Sequence, residues 1–227
     1  MIKLAIIIPT LNEAENIEPL VESICDKVRG IEFVIVIVDD NSSDRAQEII
    51  RELQEVYPVR LLARPCKIGL ASAVIDGMNF IKAENYIVMD ADFSHPVEFL
   101  PTMINALCYY DLVVGSRYVR GGGSSNWPLK RRMISLIASY IARSLTPIRD
   151  NGSGFFGIRA ECLEGVELDG IGYKIGLEIQ VKSHWRTFKE LPIIFVERER
   201  GQSKLGKKVI LEYFRHLWWL YKWKLLH

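Results

Sequence analysis

The chain is short of the features that would classify it at once. No apolar run approaches the roughly 20 residues needed to cross a bilayer. The first run, Leu4-Ala5-Ile6-Ile7-Ile8, follows Lys3 and stops at Pro9. It is too short for the apolar part of a secretion signal, so no leader is expected. Only four cysteines occur, Cys25, Cys66, Cys108 and Cys162, without CxxC spacing or a histidine at zinc-site spacing. That pattern argues against a disulfide framework and a zinc site, and suits small thiols in a reducing compartment. An excess of either charge is missing too. Lys and Arg number 29 against 28 Asp and Glu, a net charge of +1. There is therefore no bulk electrostatic case for a nucleic-acid partner. Any anionic ligand must be met by local clusters of Arg and Lys. No repeat and no linker long enough to split the chain is visible, and 227 residues suffice for one α/β domain with a sizeable core.

What is present is an alternation. Strand-like runs at Leu4–Ile8, Phe33–Val38, Val59–Ala63, Tyr86–Met89 and Leu112–Gly115 are separated by amphipathic stretches near 15–28, 44–56, 70–82 and 97–107. Continuous Val- and Ile-rich strands between helices predict a mostly parallel sheet covered on both faces. The second half is looser. A Gly/Ser loop at 121–126 precedes a helix expected over 129–145. A turn-rich stretch at 150–154 precedes Phe155-Phe156, and a third loop at 198–204 follows a strand expected over 193–196.

Ligands of such sheets bind at the carboxyl ends of the strands, and each run here ends in polar residues. The endings are Pro9-Thr10-Leu11-Asn12-Glu13, Asp39-Asp40-Asn41, Arg64, Asp90-Ala91-Asp92 and Ser116-Arg117. Asp90 and Asp92 stand out. Two like charges leaving a buried strand repel, and each is costly to bury unpaired. A hard divalent cation such as Mg2+ or Mn2+ removes both problems and takes further oxygens from phosphate. Turn chemistry ahead of His95-Pro96 is the other reading of the pair. Ser94 is a further ligand candidate, while His95 suits a cap or packing role. Asp39 and Asp40 suit a ribose or base contact; the other reading is an N-cap for the helix near Asp44, which Asn41, Ser42 and Ser43 would serve as well. Arg117, Arg131, Arg132, Arg200 and Lys204 offer phosphate-binding groups.

The last segment, 207–227, reads as a helix with Ile210, Phe214, Leu217, Tyr221 and Leu225 in one apolar stripe. Its lysines and Trp218, Trp219 and Trp223 suit a membrane interface as well as a helix docked on the domain.

Taken together, these stretches resemble the family 2 glycosyltransferases of the GT-A fold, and more specifically the dolichol-phosphate (polyprenol-phosphate) mannose synthases. The resemblance rests on Ile7–Glu13, Val38–Ser42, Met89–Pro96 and Gly115–Tyr118 in the first half. In the second half it rests on Trp127–Ser135, Ser153–Phe156, Gly172–Ile175 with Glu178, and Arg200–Leu205. It implies a Rossmann-like GT-A catalytic domain over 1–205 and an amphipathic, membrane-interface helix over 206–227. It also implies inverting transfer of mannose from GDP-mannose to a dolichyl or polyprenyl phosphate at the cytoplasmic face of a membrane. A membrane-anchoring partner subunit is a further expectation. The alternative is another sugar nucleotide, UDP-glucose or UDP-GlcNAc, or another acceptor. By the same resemblance Asp90, Asp92 and Ser94 hold Mg2+ or Mn2+. Pro9, Leu11, Glu13, Asp39, Asp40, Lys67, Asp90, Asp92, Arg200 and Lys204 contact the donor, and Arg117, Arg131 and Ser135 hold the acceptor phosphate. Asp92, Arg117, Arg131 and Ser135 carry catalysis. The sequence departs from the family pattern at Ser94, where some members have Gln. It departs again at 150–152, where a Pro often stands, and at Leu136, where a basic residue is common.

Overall fold

The computed structural model describes residues 2–125, 129–196 and 207–226. The first half alternates as the apolar runs predict. It runs β1 (Ile2–Thr10), α1 (Ala14–Lys27), β2 (Phe33–Asp39), α2 (Ala46–Leu53), β3 (Val59–Ala63), α3 (Leu70–Phe80), β4 (Ala83–Val88), α4 (Leu100–Leu107) and β5 (Leu112–Ser116). Then follow β6 (Gly123–Ser124), α5 (Leu129–Ala142), β7 (Phe156–Arg159), α6 (Ile175–Lys182), β8 (Phe188–Pro192), β9 (Ile194–Phe195) and α7 (Lys207–Leu226).

Seven strands form one sheet in the order β3-β2-β1-β4-β7-β5-β8. The pairs are parallel except those of β7, which runs antiparallel to β4 and β5. Strand side chains alternate between faces, and β1 divides accordingly. Leu4, Ile6 and Ile8 pack under α1 and α4, while Ala5 and Ile7 pack under α3 and α6. α1 buries Ile17, Leu20, Val21 and Ile24, a three-and-four spacing that lays one stripe on the sheet.

Four elements differ from expectation. β7 and β8 are strands that their sequences do not announce: β7 follows directly on a turn-rich stretch, and β8 (FKELP) carries charged residues and ends in Pro. Both are held in the sheet by neighbours distant in sequence. The helix expected over 97–107 begins as a 3-10 turn, Val97–Phe99, and Pro101 stands in the first turn of α4. The apolar stripe of α7 is also rotated. Tyr213, Leu217 and Leu220 are its buried hydrophobic residues, packed with Ala142, Leu145 and Leu177. Phe214 and Leu225 of the expected stripe are exposed, 51% and 86% respectively. Burying an aliphatic side chain stabilises by about 1.5–3 kcal/mol, so the α5–α6 surface decides which face docks. Lys224 adds to the docking by donating to the carbonyls of Ser144 (3.2 Å) and Leu145 (2.8 Å) just beyond α5.

Candidate active site

The loops at the carboxyl ends of β1, β2 and β4 turn sharply. Asn12, Asn41 and Phe93 have φ of 57°, 64° and 58°. Asn tolerates this left-handed region, whereas a Phe there is strained and marks a constrained site. The β1 and β2 loops are knitted together: the Asn12 amide donates to Ser42 Oγ (2.8 Å) and the Ser43 amide to Asn12 Oδ1 (2.8 Å). Pro9 closes β1 and Leu11 follows it, while Glu13 accepts from Asn16 Nδ2 (2.7 Å) at the start of α1. Asp39 is fully buried. It accepts from the Ser42 amide (3.0 Å), the Ser42 hydroxyl and Gln47 Nε2 (2.6 Å). Asp40 accepts from Arg64 and from the amides of Ile68 and Gly69, each at 2.9 Å. Its bonds shape the 64–69 loop, on which Lys67 is exposed.

Asp90 and Asp92 follow β4. The Asp92 carboxylate accepts from the Ser94 amide at 3.0 Å. The Asp90 amide donates to Nδ1 of His95 at 3.0 Å, so the imidazole proton resides on Nε2, 3.8 Å from Asp90 Oδ2. His95 is 2% exposed and stacks on Phe155, with ring centroids 5.1 Å apart. Burial pushes its pKa down, with the Asp90 charge opposing, so it packs as a neutral ring. The oxygen donors here suit a hard cation. Ser94 Oγ is buried and has no hydrogen-bond partner among the described residues. No group of three or more His, Cys, Asp or Glu among the described residues could hold a metal unaided. Two carboxylates and a buried hydroxyl are hard oxygen donors that fit part of the coordination shell of Mg2+ or Mn2+.

Arg117 lies beyond β5. Asp150, fully buried, takes its backbone amide (2.8 Å), Nε (2.7 Å) and one terminal nitrogen (2.6 Å). Burial alone works against the guanidinium charge, but the Asp150 hydrogen bonds and charge outweigh it and raise the pKa. Asp150 is itself fixed by Glu190, which accepts from the amides of Arg149 and Asp150 at 3.0 Å each. Ser135, on α5, accepts a 2.7 Å hydrogen bond from the Tyr118 hydroxyl.

Two cavities meet at Arg117. A cleft of about 170 Å3 carries Asp90, His95, Arg117, Lys174 and Phe195 in its wall. A groove of about 250 Å3 lies under α5 and α7, lined by Arg117, Ile134, Ser135, Ile137, Ile141 and Phe214 among others. Of the residues expected here, the cleft joins Asp90 to Arg117 and the groove joins Arg117 to Ser135. Arg131 lies on α5, with its side chain outside the described part; Arg200 and Lys204 lie outside the described residues altogether. Pro9, Leu11, Glu13, Asp39, Asp40, Lys67, Asp92 and Ser94 line neither cavity. Sequence reasoning assigned no role to Asp150, Tyr118 or Lys174. Only the pairing of distant loops makes Asp150 the partner of Arg117.

A profile described as Glycosyl transferase family 2 matches residues 5–166. The chain is 44% identical to a dolichol-phosphate mannosyltransferase of Pyrococcus furiosus, over 98% of this chain and 64% of that protein. It thus spans just under two thirds of that archaeal relative's length. It is 37% identical to a protein of the same description from Mycosarcoma maydis, over 97% of this chain and 79% of that one. The Saccharomyces cerevisiae counterpart is 35% identical over 98% and 88%. Among solved structures, the fold is similar to glucosyl-3-phosphoglycerate synthase of Mycobacterium tuberculosis in complex with Mn2+, uridine diphosphate and glucosyl-3-phosphoglycerate. The TM-score is 0.67 at 17% identity, covering 95% of this chain and 80% of that one. The form with Mg2+ and uridine diphosphate gives 0.68 at 17% identity, covering 95% and 79%. At that identity the likeness speaks for a GT-A-like fold alone.

Proposed function

The chain belongs to glycosyl transferase family 2, and from that premise we propose that it transfers mannose from GDP-mannose to a dolichyl or polyprenyl phosphate with inversion. The observation that carries this reading is the meeting of a cleft bearing charged side chains and an apolar groove at one buried arginine. A soluble sugar acceptor needs no apolar groove, whereas a lipid phosphate needs the groove for its chain and a cation at its mouth.

The chemistry is consistent with the residues. A phosphate monoester, with a second pKa near ~6, is already anionic at neutral pH, so no general base is required. A phosphate oxygen attacks the anomeric carbon, the bond to the GDP oxygen breaks, and GDP leaves with the electron pair. Asp90, Asp92 and Ser94 would hold the cation, which would supply positive charge for the departing diphosphate. Arg117, oriented by Asp150, holds the acceptor phosphate with Ser135 and Arg131. Asp39, Asp40, Pro9, Leu11, Glu13 and Lys67 serve the nucleoside end, and Arg200 and Lys204 the donor phosphates. Positioning and fixed charge do the work.

No helix among the described residues is long and apolar enough to cross a membrane. Met133, Ile137 and Tyr140 on α5 and Leu211, Phe214, Trp218 and Leu225 on α7 are exposed apolar groups on the two helices over the groove, and Ile137 and Phe214 line it. Such a surface suits peripheral attachment that brings the groove to the lipid. The reading places the enzyme on the cytoplasmic face, with room for a membrane-anchoring partner. The test is a panel of GDP-mannose, UDP-glucose and UDP-GlcNAc with Mn2+ and a polyprenyl phosphate. Mannolipid from GDP-mannose alone is expected, lost in Asp92→Ala with the melting temperature nearly unchanged. Bound donor without mannolipid would sink the reading.

A further inference from the structure

Four residues stand in the walls of both cavities: Arg117, Gly152, Tyr173 and Lys174. Two of them are cations, and Lys174 has no role in the scheme so far. Its placement is locally unfavourable. It occupies the N-cap position of α6, where Ser, Thr, Asp or Asn is preferred and where a cation meets the positive end of the helix dipole. A residue that breaks the local rule at the junction of two cavities is more often there for a ligand than for the fold. The glycine opposite points the same way. Lys174 Nζ donates to the Gly152 carbonyl at 2.6 Å. A Cβ added at Gly152 would lie 2.9 Å from that Nζ. A side chain at 152 would push the ammonium aside, so the bare backbone is what lets it lie along the wall. The ammonium also sits 5.2 Å from the centre of the Tyr173 ring. Lys174 and Asp90 line the same cleft.

We propose that Lys174 is an acceptor-binding residue, a second cation that with Arg117 holds the phosphate of the lipid acceptor where groove and cleft join. This rests on the functional reading above. The division of labour is chemical. Arg117 is gripped by Asp150 through two of its guanidinium nitrogens and so supplies a rigid charge. Lys174 is a compact point charge on a flexible stem. It can follow a phosphate oxygen as that oxygen moves toward the anomeric carbon.

The experiment measures binding of farnesyl phosphate and of GDP with Mn2+ by calorimetry, alongside mannosyl transfer, for wild type, Lys174→Met, Lys174→Arg and Gly152→Ala. Lys174→Met is expected to weaken farnesyl phosphate binding and raise the acceptor KM at least tenfold, with GDP affinity within twofold. Lys174→Arg should recover part of the loss. Gly152→Ala, which keeps the charge but displaces it, should weaken the acceptor alone. Farnesyl phosphate affinity within twofold in Lys174→Met, while wild type binds and transfers, overturns the Lys174 assignment and leaves the functional reading intact. Equal loss of GDP and acceptor binding, or a melting temperature that falls with both, also overturns it, because the lysine then serves the donor or the fold. Wild type that binds no farnesyl phosphate overturns the functional reading and the assignment together.

Discussion

Replacing Asp150 by alanine tests the central ion pair of the site. Asp150 is fully buried, and the Arg117 side chain is 7% exposed. The substitution removes the acceptor of three Arg117 hydrogen bonds of 2.6–2.8 Å. Taking one partner from a buried pair costs about 3–5 kcal/mol. For a chain of this size each kcal/mol moves the melting temperature by about 2–4 °C, so a fall of roughly 6–20 °C is expected. Asp150→Asn keeps the shape but not the charge and should fall less. Replacing both partners, Arg117→Met with Asp150→Leu, should recover most of the stability, because apolar side chains fill the site without charges to desolvate. Activity should stay absent in the double variant, since the phosphate-binding cation is gone. Urea unfolding followed by tryptophan fluorescence, with a transfer assay on each variant, reads all of this. A single Asp150→Ala variant within about 1 kcal/mol of wild type, or a double variant no more stable than the single, would refute the reasoning.

Gly77 on α3 faces Ile7 and Val38, and a Cβ there would meet their methyl carbons at 2.7 and 2.8 Å. Gly77→Ala should therefore destabilise by about 1–2 kcal/mol, against the usual gain of Ala over Gly in a helix; an increase in urea midpoint would show that α3 can move off the sheet. Phe214→Ser with Trp218→Ser removes exposed rings from α7 and leaves Leu217 and Leu220 packed. Binding to anionic liposomes should fall while the melting temperature holds, and undiminished binding would remove the membrane-facing role of α7. His216 is buried on α7, with Nε2 3.7 Å from the fully buried Glu178. Lys182 and Asp169 face the same cluster. Burial lowers the His216 pKa from its ordinary 6.5, with Glu178 opposing. A depressed pKa means the folded state disfavours the proton. The stability it supports is complete above about pH 6.5 and is lost as the pH falls through the folded value. His216→Gln should flatten the dependence of the urea midpoint on pH below about 6.5, and an unchanged profile would show that another group carries it.

The first half of the fold was legible because its signals are local. Apolar runs of four to six residues separated by amphipathic stretches form β1–β5 and α1–α4 near the expected positions. The second half was less so. β8 is a strand because β5 presents unpaired backbone groups beside it, not because FKELP favours one. The face of α7 that is buried depends on what α5 and α6 offer, and Tyr213, Leu217 and Leu220 answer to it better than the stripe through Phe214 and Leu225. For the site, the acidic strand ends could be named in advance. The partners of Asp39, Asp40 and Arg117 could not.

Sequence by itself determined the class of the sheet, the strand ends that carry chemistry and the family, because periodicity and short motifs are properties of neighbouring residues. Only the tertiary structure decided that Asp150 grips Arg117 from 33 positions away. It alone brought Lys174 across Gly152 from 22 positions away, to the wall shared by the cleft of Asp90 and an apolar groove. Those relations arise where loops from separate strands converge, and no local preference encodes a distance between them.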